Sequence, residues 1–391
     1  MIPHAEILAL RGEWSLRADV IEKDYVLGWM LAAIACTPEL SESWVFKGGT
    51  CLRKCFYETY RFSEDLDFTV IKGGPEAPED LVPIFEGVGD WLRDQIGLEI
   101  VVDANAFVRH ENRRGNPTTQ GRIAYRGPSN PPTLPKIKID LTSDEVLVGP
   151  TVSRPIFHSY SDAEEMKGEV KSYSIVELLA EKTRALAERC RPRDLYDVVN
   201  IHRHPELVGD PAPVVAVLEA KSAYVGIPVP NADTIRASPF RDELEQEWEN
   251  MLGHQLPHLP DIAGFWGELD TVFDWLGGEP AHALDRAPTR TGTDLTWESP
   301  RAMTAWRYGA PLELIRFAGA NRLKVEIDYR AEEGRRGVRV VEPYSFRMTL
   351  DGDLLLFVVN DRGQLRSYRV DRIAGVRILD ESFTPRYLVE F

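Results

Sequence analysis

The stretch WVFKGGTCLRKCFYETYRFSEDLDFTV, Trp44 to Val70, decides how this chain is read. It places a Gly pair, Gly48 and Gly49, behind a short apolar run, and then two aspartates, Asp65 and Asp67, around a single leucine. Residues i and i+2 of a strand project to the same face. Asp65 and Asp67 therefore point together, while Leu66 and Phe68 face a core. Two carboxylates that close raise each other's pKa unless a cation intervenes. Their hard oxygens suit Mg²⁺, which keeps several waters and recruits substrate phosphates for its other positions. A third oxygen ligand is expected from a neighbouring strand. The period-two segment PKIKIDLT supplies Asp140, on the face of Lys136 and Lys138, with Ile137, Ile139 and Leu141 turned inward.

The Gly pair accounts for the other half of the stretch. Gly48 and Gly49 leave backbone N–H groups uncovered just before a helix expected over Thr50–Tyr60, and such a helix start binds phosphate. Thr50 adds a hydroxyl. A phosphate cradle, a helix and a strand with metal ligands make a site for a nucleoside triphosphate and Mg²⁺. The reaction that fits is attack on the α-phosphate with pyrophosphate leaving. Singly, the features have plainer readings: a Gly pair is more often a turn, and a strand-end Asp such as Asp140 commonly caps one. Asp65 and Asp67 are the hardest to explain structurally.

The chain has 391 residues and a formal net charge of -16, which on its own argues against a nucleic-acid partner. The charge is unevenly spread: residues 301–391 carry a net +3, almost all of the basic residues being Arg, and residues 1–300 carry -19. The four cysteines (Cys36, Cys51, Cys55, Cys190) form no CxxC and are too few for a disulfide framework, so they read as small buried hydrophobes. HQLPH at 254–258 resembles a metal pair, but Pro257 breaks the helix that would put both His on one face. With no signal peptide and no apolar run of about 18 residues, the expectation is a cytoplasmic protein with no membrane partner.

Residues 16–36 have helical apolar spacing, Val45–Phe46 ends a strand, Leu66–Ile71 is a strand, and 78–96 is a helix. LEIVVDA, RIAYRG and PKIKIDLT read as strands. Ser174 and Glu177 form an S-x-x-E box opening a helix, and Pro192 opens the next. Residues 211–278 look helical, with Trp248, Phe265, Trp266, Phe273 and Trp275 as core. Beyond Leu312 the pattern turns to short strands with turn signals, which predicts a small barrel. The expected organisation is α+β: a core over 1–165, a helical subdomain over 166–280, a linker over 281–300 and a β domain over 301–391.

FKGGTCLRK followed by RFSEDLDF resembles the polymerase-β-like nucleotidyltransferases, and within them the AbiEii family of abortive-infection and type IV toxin–antitoxin toxins. EKDYVLGWML resembles that family's N-terminal helix, and LLAEKTRALAERCRPRDLYDVV its downstream motifs. The resemblance covers roughly residues 10–280. It implies that Lys182 contacts the triphosphate, that Asp194 belongs to the active site and that Asp197 is structural. It also implies an RNA acceptor, notably a tRNA 3′ end, and a neutralising antitoxin. Lys47, Arg53, Lys54, Arg113, Arg114 and Arg122 are the candidate phosphate contacts for such an acceptor. Arg122, with Tyr125 and Arg126, is equally readable as a plain strand with solvated Arg.

From about 301 the sequence resembles a WYL domain, an Sm-like barrel module, through VEIDYR, RVVEPYSF and LRSYRVDRI. The name-giving Trp-Tyr-Leu is replaced by Leu354-Leu355-Leu356. The resemblance implies a regulatory domain sensing nucleic acid or nucleotides, with Arg339, Arg366 and Arg372 as contacts. Arg suits bidentate phosphate recognition. Dimerisation or scaffolding is the alternative for this domain. The rivals for the whole chain are a non-catalytic nucleic-acid-binding sensor or transcriptional regulator, and a transferase modifying a protein or small molecule.

Overall fold

The computed structural model describes residues 1–57, 60–112, 114–204, 209–279, 284–299, 303 and 308–391. Arg113 and part of the expected linker lie outside them. The chain divides into two compact units, one of Met1–Arg11, Leu16–Cys190 and Ala212–Ile235, the other of Gly12–Ser15, Arg191–Pro211 and Arg236–Phe391.

The first unit is built on an eight-stranded mixed sheet. Its strands are β1 (Trp44–Lys47), β2 (Asp65–Val70), β3 (Glu99–Val101), β4 (Phe107–Glu111), β5 (Pro117–Arg126), β6 (Lys136–Thr142), β7 (Val152–Pro155) and β8 (Glu169–Ser172). They run in the order β3-β5-β6-β2-β1-β8-β7, with β4 also paired to β5. The strand alternation holds in β6, where Ile137, Ile139 and Leu141 are buried and Lys136 is exposed. The helix Pro78–Ile96 starts on a proline at its first turn and ends on Gly97, whose φ of 71° is the left-handed cap that glycine favours. Helix Ala18–Cys36 is buried over most of its surface, including the charged Glu22 and Asp24.

The second unit joins helices to a five-stranded antiparallel sheet. Its strands are β9 (Leu323–Arg330), β10 (Arg336–Met348), β11 (Leu354–Asn360), β12 (Leu365–Arg369) and β13 (Ile373–Ser382), in the order β12-β11-β10-β9-β13. The ladder does not close into a barrel. The sheet curls until the Tyr329 ring of β9 meets Tyr368 of β12 edge-on, 4.7 Å between centroids. Helix Leu312–Ala320, which the strand-rich reading passes over, packs against β9, β10 and β13. Its nine residues are too few to show a helical period against the strands that follow. Trp248, Phe265, Trp266 and Trp275 are buried as expected, and Phe273 is half-buried. The helix Pro192–His202 is tied to the end of helix Leu312–Ala320 by Tyr196, whose hydroxyl donates to Asn321 Oδ1 at 2.8 Å.

Candidate active site

Three strands set the site. In the β1–β2 ladder Lys47 is opposite Asp67, and in the parallel β2–β6 ladder Asp67 is opposite Asp140 and Asp65 opposite Lys138. A cavity of about 420 Å³ opens over them, lined among others by Lys47, Asp67, His110, Gln120, Asp140 and Glu145. The Asp67 carboxyl is pushed up to about 6, first by burial and then by the Asp140 charge, with Asp65 adding to it. Lys47 and Lys182 pull it the other way and are not enough to cancel the rise. The positive group between the carboxylates is Lys138, 2.5 Å from Asp140 Oδ2 and 3.9 Å from Asp65 Oδ2. As arranged, no three His, Cys, Asp or Glu side chains among the described residues converge closely enough to hold a metal ion. The donor set nonetheless fits a hard divalent cation: three carboxylates on adjacent strands, the charge of one of them, Asp67, disfavoured by burial and by its carboxylate neighbours.

The two glycines are under different constraints, and the backbone requires glycine only at Gly48. Gly48 has φ 82°, and a Cβ there would run into the Asp67 carboxylate; a Cβ on Gly49 would run into the Arg61 guanidinium. Helix Gly48–Cys51 continues directly as a π-helical turn, Leu52–Phe56. It begins and ends earlier than the expected Thr50–Tyr60, and Tyr57 is already extended. The cause is an anchor in helix Ala18–Cys36. Asp24 accepts from Arg53 Nε at 2.7 Å, from Lys54 Nζ at 2.7 Å and from the Tyr160 hydroxyl at 2.9 Å. Arg53 and Lys54 are consecutive, and the wider π turn presents both to one carboxylate. Burial disfavours the Asp24 charge, and the two cations more than offset this, holding its carboxyl well below the usual range. Thr50 is buried, and its hydroxyl donates to the Asp65 carbonyl at 2.5 Å, fixing the start of β2.

Lys182 belongs to helix Ile175–Arg189, whose N-cap Ser174 accepts from the Glu177 N–H at 3.1 Å. Only that half of the expected box forms. The Glu177 carboxylate turns to Lys221, at 2.8 Å, and to the Gly149 N–H, at 2.9 Å. Lys182 is buried at 8% exposure, and its charge reaches Asp67. Gln120 and Glu145 are among the polar residues of the cavity that escaped the sequence reading. Gln120 of β5 lies opposite Asp140 and donates to its Oδ1 at 3.0 Å. Glu145 pairs with Lys47 and accepts from the Tyr173 hydroxyl at 2.9 Å and Thr69 Oγ1 at 3.0 Å. Gln120 could have been found by extending the period-two pattern of RIAYRG back through TTQ; Glu145, in a loop, leaves no such signal.

Residues 29–279 match the family described as nucleotidyl transferase AbiEii toxin, type IV TA system. The chain belongs to the AbiEii nucleotidyltransferase toxin family. It is thus a nucleotidyltransferase, and residues 311–378 match the WYL domain. No curated protein matches the chain. Among solved structures it is similar to MenT4, a nucleotidyltransferase toxin from Mycobacterium tuberculosis H37Rv, at 19% identity and a TM-score of 0.45, covering 72% of this chain and 91% of that one. It is also similar to the proteasome accessory factor B/C of Arthrobacter aurescens, at 19% identity and a TM-score of 0.18, over 54% of this chain and 32% of that one.

The remaining motif residues of this AbiEii-family chain fall as follows. Asp194 and Asp197 are fully buried in helix Pro192–His202 of the second unit. Among the cations expected to meet an acceptor, Arg53 and Lys54 are instead buried on Asp24, Lys47 is paired with Glu145, and Arg114 with Asp144 at 2.7 Å. Arg122 is exposed and donates to Gln120 Oε1 at 3.0 Å. In the WYL domain, Arg339 and Arg366 are exposed, and both charges act on the Tyr368 phenol. Arg372 is half-buried, 3.4 Å from Glu332. Among the described residues no helix is long and apolar enough to cross a membrane.

Proposed function

We propose that this protein is a Mg²⁺-dependent toxin that transfers a nucleoside monophosphate from an NTP to RNA, at the 3′ end of tRNA, in the cytoplasm. The carrying observation is the register that sets Asp67 beside Asp140 and Asp65 beside Lys138, with Gly48 against the Asp67 carboxylate. Asp65, Asp67 and Asp140 would hold the metal. Bound there, Mg²⁺ would neutralise the triphosphate and the charge developing at the α-phosphorus.

The chain's own groups do the rest. The backbone N–H groups at Gly48 and Gly49 receive phosphate oxygens, with Thr50 bracing the turn through Asp65. Lys182 contributes a buried cation for the triphosphate, and the family resemblance implies a catalytic role for Asp194 as well. A ribose hydroxyl of the acceptor gives up its proton to solvent and forms the new P–O bond, the bond from the α-phosphorus to the bridging oxygen breaks, and pyrophosphate leaves with that electron pair. Arg109, Arg122 and Arg126, exposed on β4 and β5, offer phosphate contacts for the acceptor. The WYL domain would sense a nucleic acid or nucleotide through Arg339, Arg366 and Arg372, and an antitoxin would restrain the enzyme.

Incubation with each α-labelled NTP, Mg²⁺ and separate pools of tRNA, other RNA and protein tests this reading. Label entering tRNA alone is expected. Label entering protein or a small molecule instead would overturn the acceptor assignment.

A further inference from the structure

We propose that Lys138 is a tethered counter-ion of the carboxylate site, which an incoming divalent cation displaces while Gln120 keeps Asp140 in place. The inference rests on the metal reading above. Lys138 precedes Asp140 by two residues on β6, so both side chains leave the same face of the strand. Its ammonium lies 2.5 Å from Asp140 Oδ2 and 3.9 Å from Asp65 Oδ2, and in the ladder it stands directly across from Asp65. It therefore spans two of the three carboxylates that a metal would use.

The other oxygen of Asp140 is held differently. Asp140 Oδ1 accepts from the Gln120 amide at 3.0 Å, and Gln120 Oε1 accepts from Arg122 Nε at 3.0 Å. The Arg122 contact fixes which end of the amide faces Asp140. Gln120 is neutral and can stay when a cation arrives. Lys138 cannot, because an ammonium and a divalent ion repel each other in the same gap. Its side chain is 35% exposed, and its flexible four-carbon stem gives it a way out to solvent. Lys138 would thus keep the empty site from accumulating uncompensated charge, at the cost of competing with the metal.

The test uses the nucleotide-free full chain and Mn²⁺, with free Mn²⁺ read by electron paramagnetic resonance. Lys138→Met should tighten Mn²⁺ binding about tenfold, a figure discounted for the exposure of the pair. Lys136→Met is the control, because Lys136 is exposed on the same strand face one repeat further from Asp140. It removes the same charge and should change binding by no more than about twofold. Gln120→Leu should weaken binding, and Lys138→Gln serves as a second variant if Lys138→Met fails to fold. Equal effects of Lys138→Met and Lys136→Met, or weaker binding in Lys138→Met, would overturn the counter-ion role. Asp67→Asn separates this from the underlying reading. If wild type binds Mn²⁺ no better than Asp67→Asn, the metal site itself fails. If binding depends on Asp67 and is unchanged in Lys138→Met, only the counter-ion inference fails.

Discussion

Asp67 and Asp140 are direct partners across the parallel β2–β6 ladder, and the Asp67 carboxyl is pushed up to about 6 by burial and by that neighbour. A group whose folded pKa is raised stabilises the fold fully below its unfolded pKa and loses that contribution as pH rises through the folded value. The metal-free protein should therefore lose stability between about pH 4 and pH 7 through this residue. Asp67→Asn should raise Tm by a few degrees at pH 8 without metal, leave it nearly unchanged at pH 4, and abolish transfer. Thermal melts of both proteins at the two pH values check this. A lower Tm for Asp67→Asn at pH 8 would mean that the carboxylate is structural.

Asp24 predicts the opposite sign. Its carboxyl is held well below the usual range by Arg53 and Lys54 against the effect of burial. Its contribution is present above the ordinary carboxylate range and is lost as pH falls toward the folded value. Asp24→Asn leaves two buried cations without their counter-charge, which typically costs about 3–5 kcal/mol. Urea unfolding at pH 7 should show a loss of that order, together with weaker nucleotide binding as the turn at Gly48 loosens.

Gly48→Ala should abolish transfer with an intact far-ultraviolet spectrum. The substitution meets a φ of 82° and the Asp67 carboxylate at once, so it disturbs the metal ligand more than the fold. The φ strain adds about 1–2 kcal/mol. Activity near wild type in Gly48→Ala would mean that the close approach of turn and carboxylate is not used.

The strand faces of this candidate site were legible because strands write their alternation into the sequence. The period-two alternation put Asp65 with Asp67 and Asp140 with Lys138, and the sheet brought those faces together in register. Asp24 was not legible as an anchor: it sits beside Asp19, Glu22 and Lys23 in a stretch that reads as a solvated helix start, and its cationic partners are 29 and 30 residues away. The same interaction explains why the helix after the glycines widens into a π turn and stops at Phe56, which local propensity could not foresee. Arg53 and Lys54 looked like surface cations because sequence position carries no information about burial there. In the tail, the five strands were readable from their turn signals, but the open edge was not, since closure depends on how far the sheet curls.

The WYL domain carries a prediction of its own. Arg339 and Arg366 both act on Tyr368, whereas Arg372 stands beside Glu332. If the domain senses a phosphate-bearing ligand, Arg339→Ala and Arg366→Ala in the full chain should weaken binding of single-stranded nucleic acid more than Arg372→Ala. The dependence on salt should fall with each lost phosphate contact. Fluorescence anisotropy at two salt concentrations checks this. Equal, small effects from all three would favour a scaffolding role.

The most direct measurement is pyrophosphate released per nucleotide incorporated, made with wild type, Asp67→Ala and Lys182→Ala in the presence of NTP, Mg²⁺ and tRNA. The account predicts one pyrophosphate per nucleotide incorporated for wild type, none for Asp67→Ala, and a rate for Lys182→Ala that falls steeply with unchanged Tm. Incorporation by Asp67→Ala at the wild-type rate, or phosphate released without pyrophosphate, would contradict it.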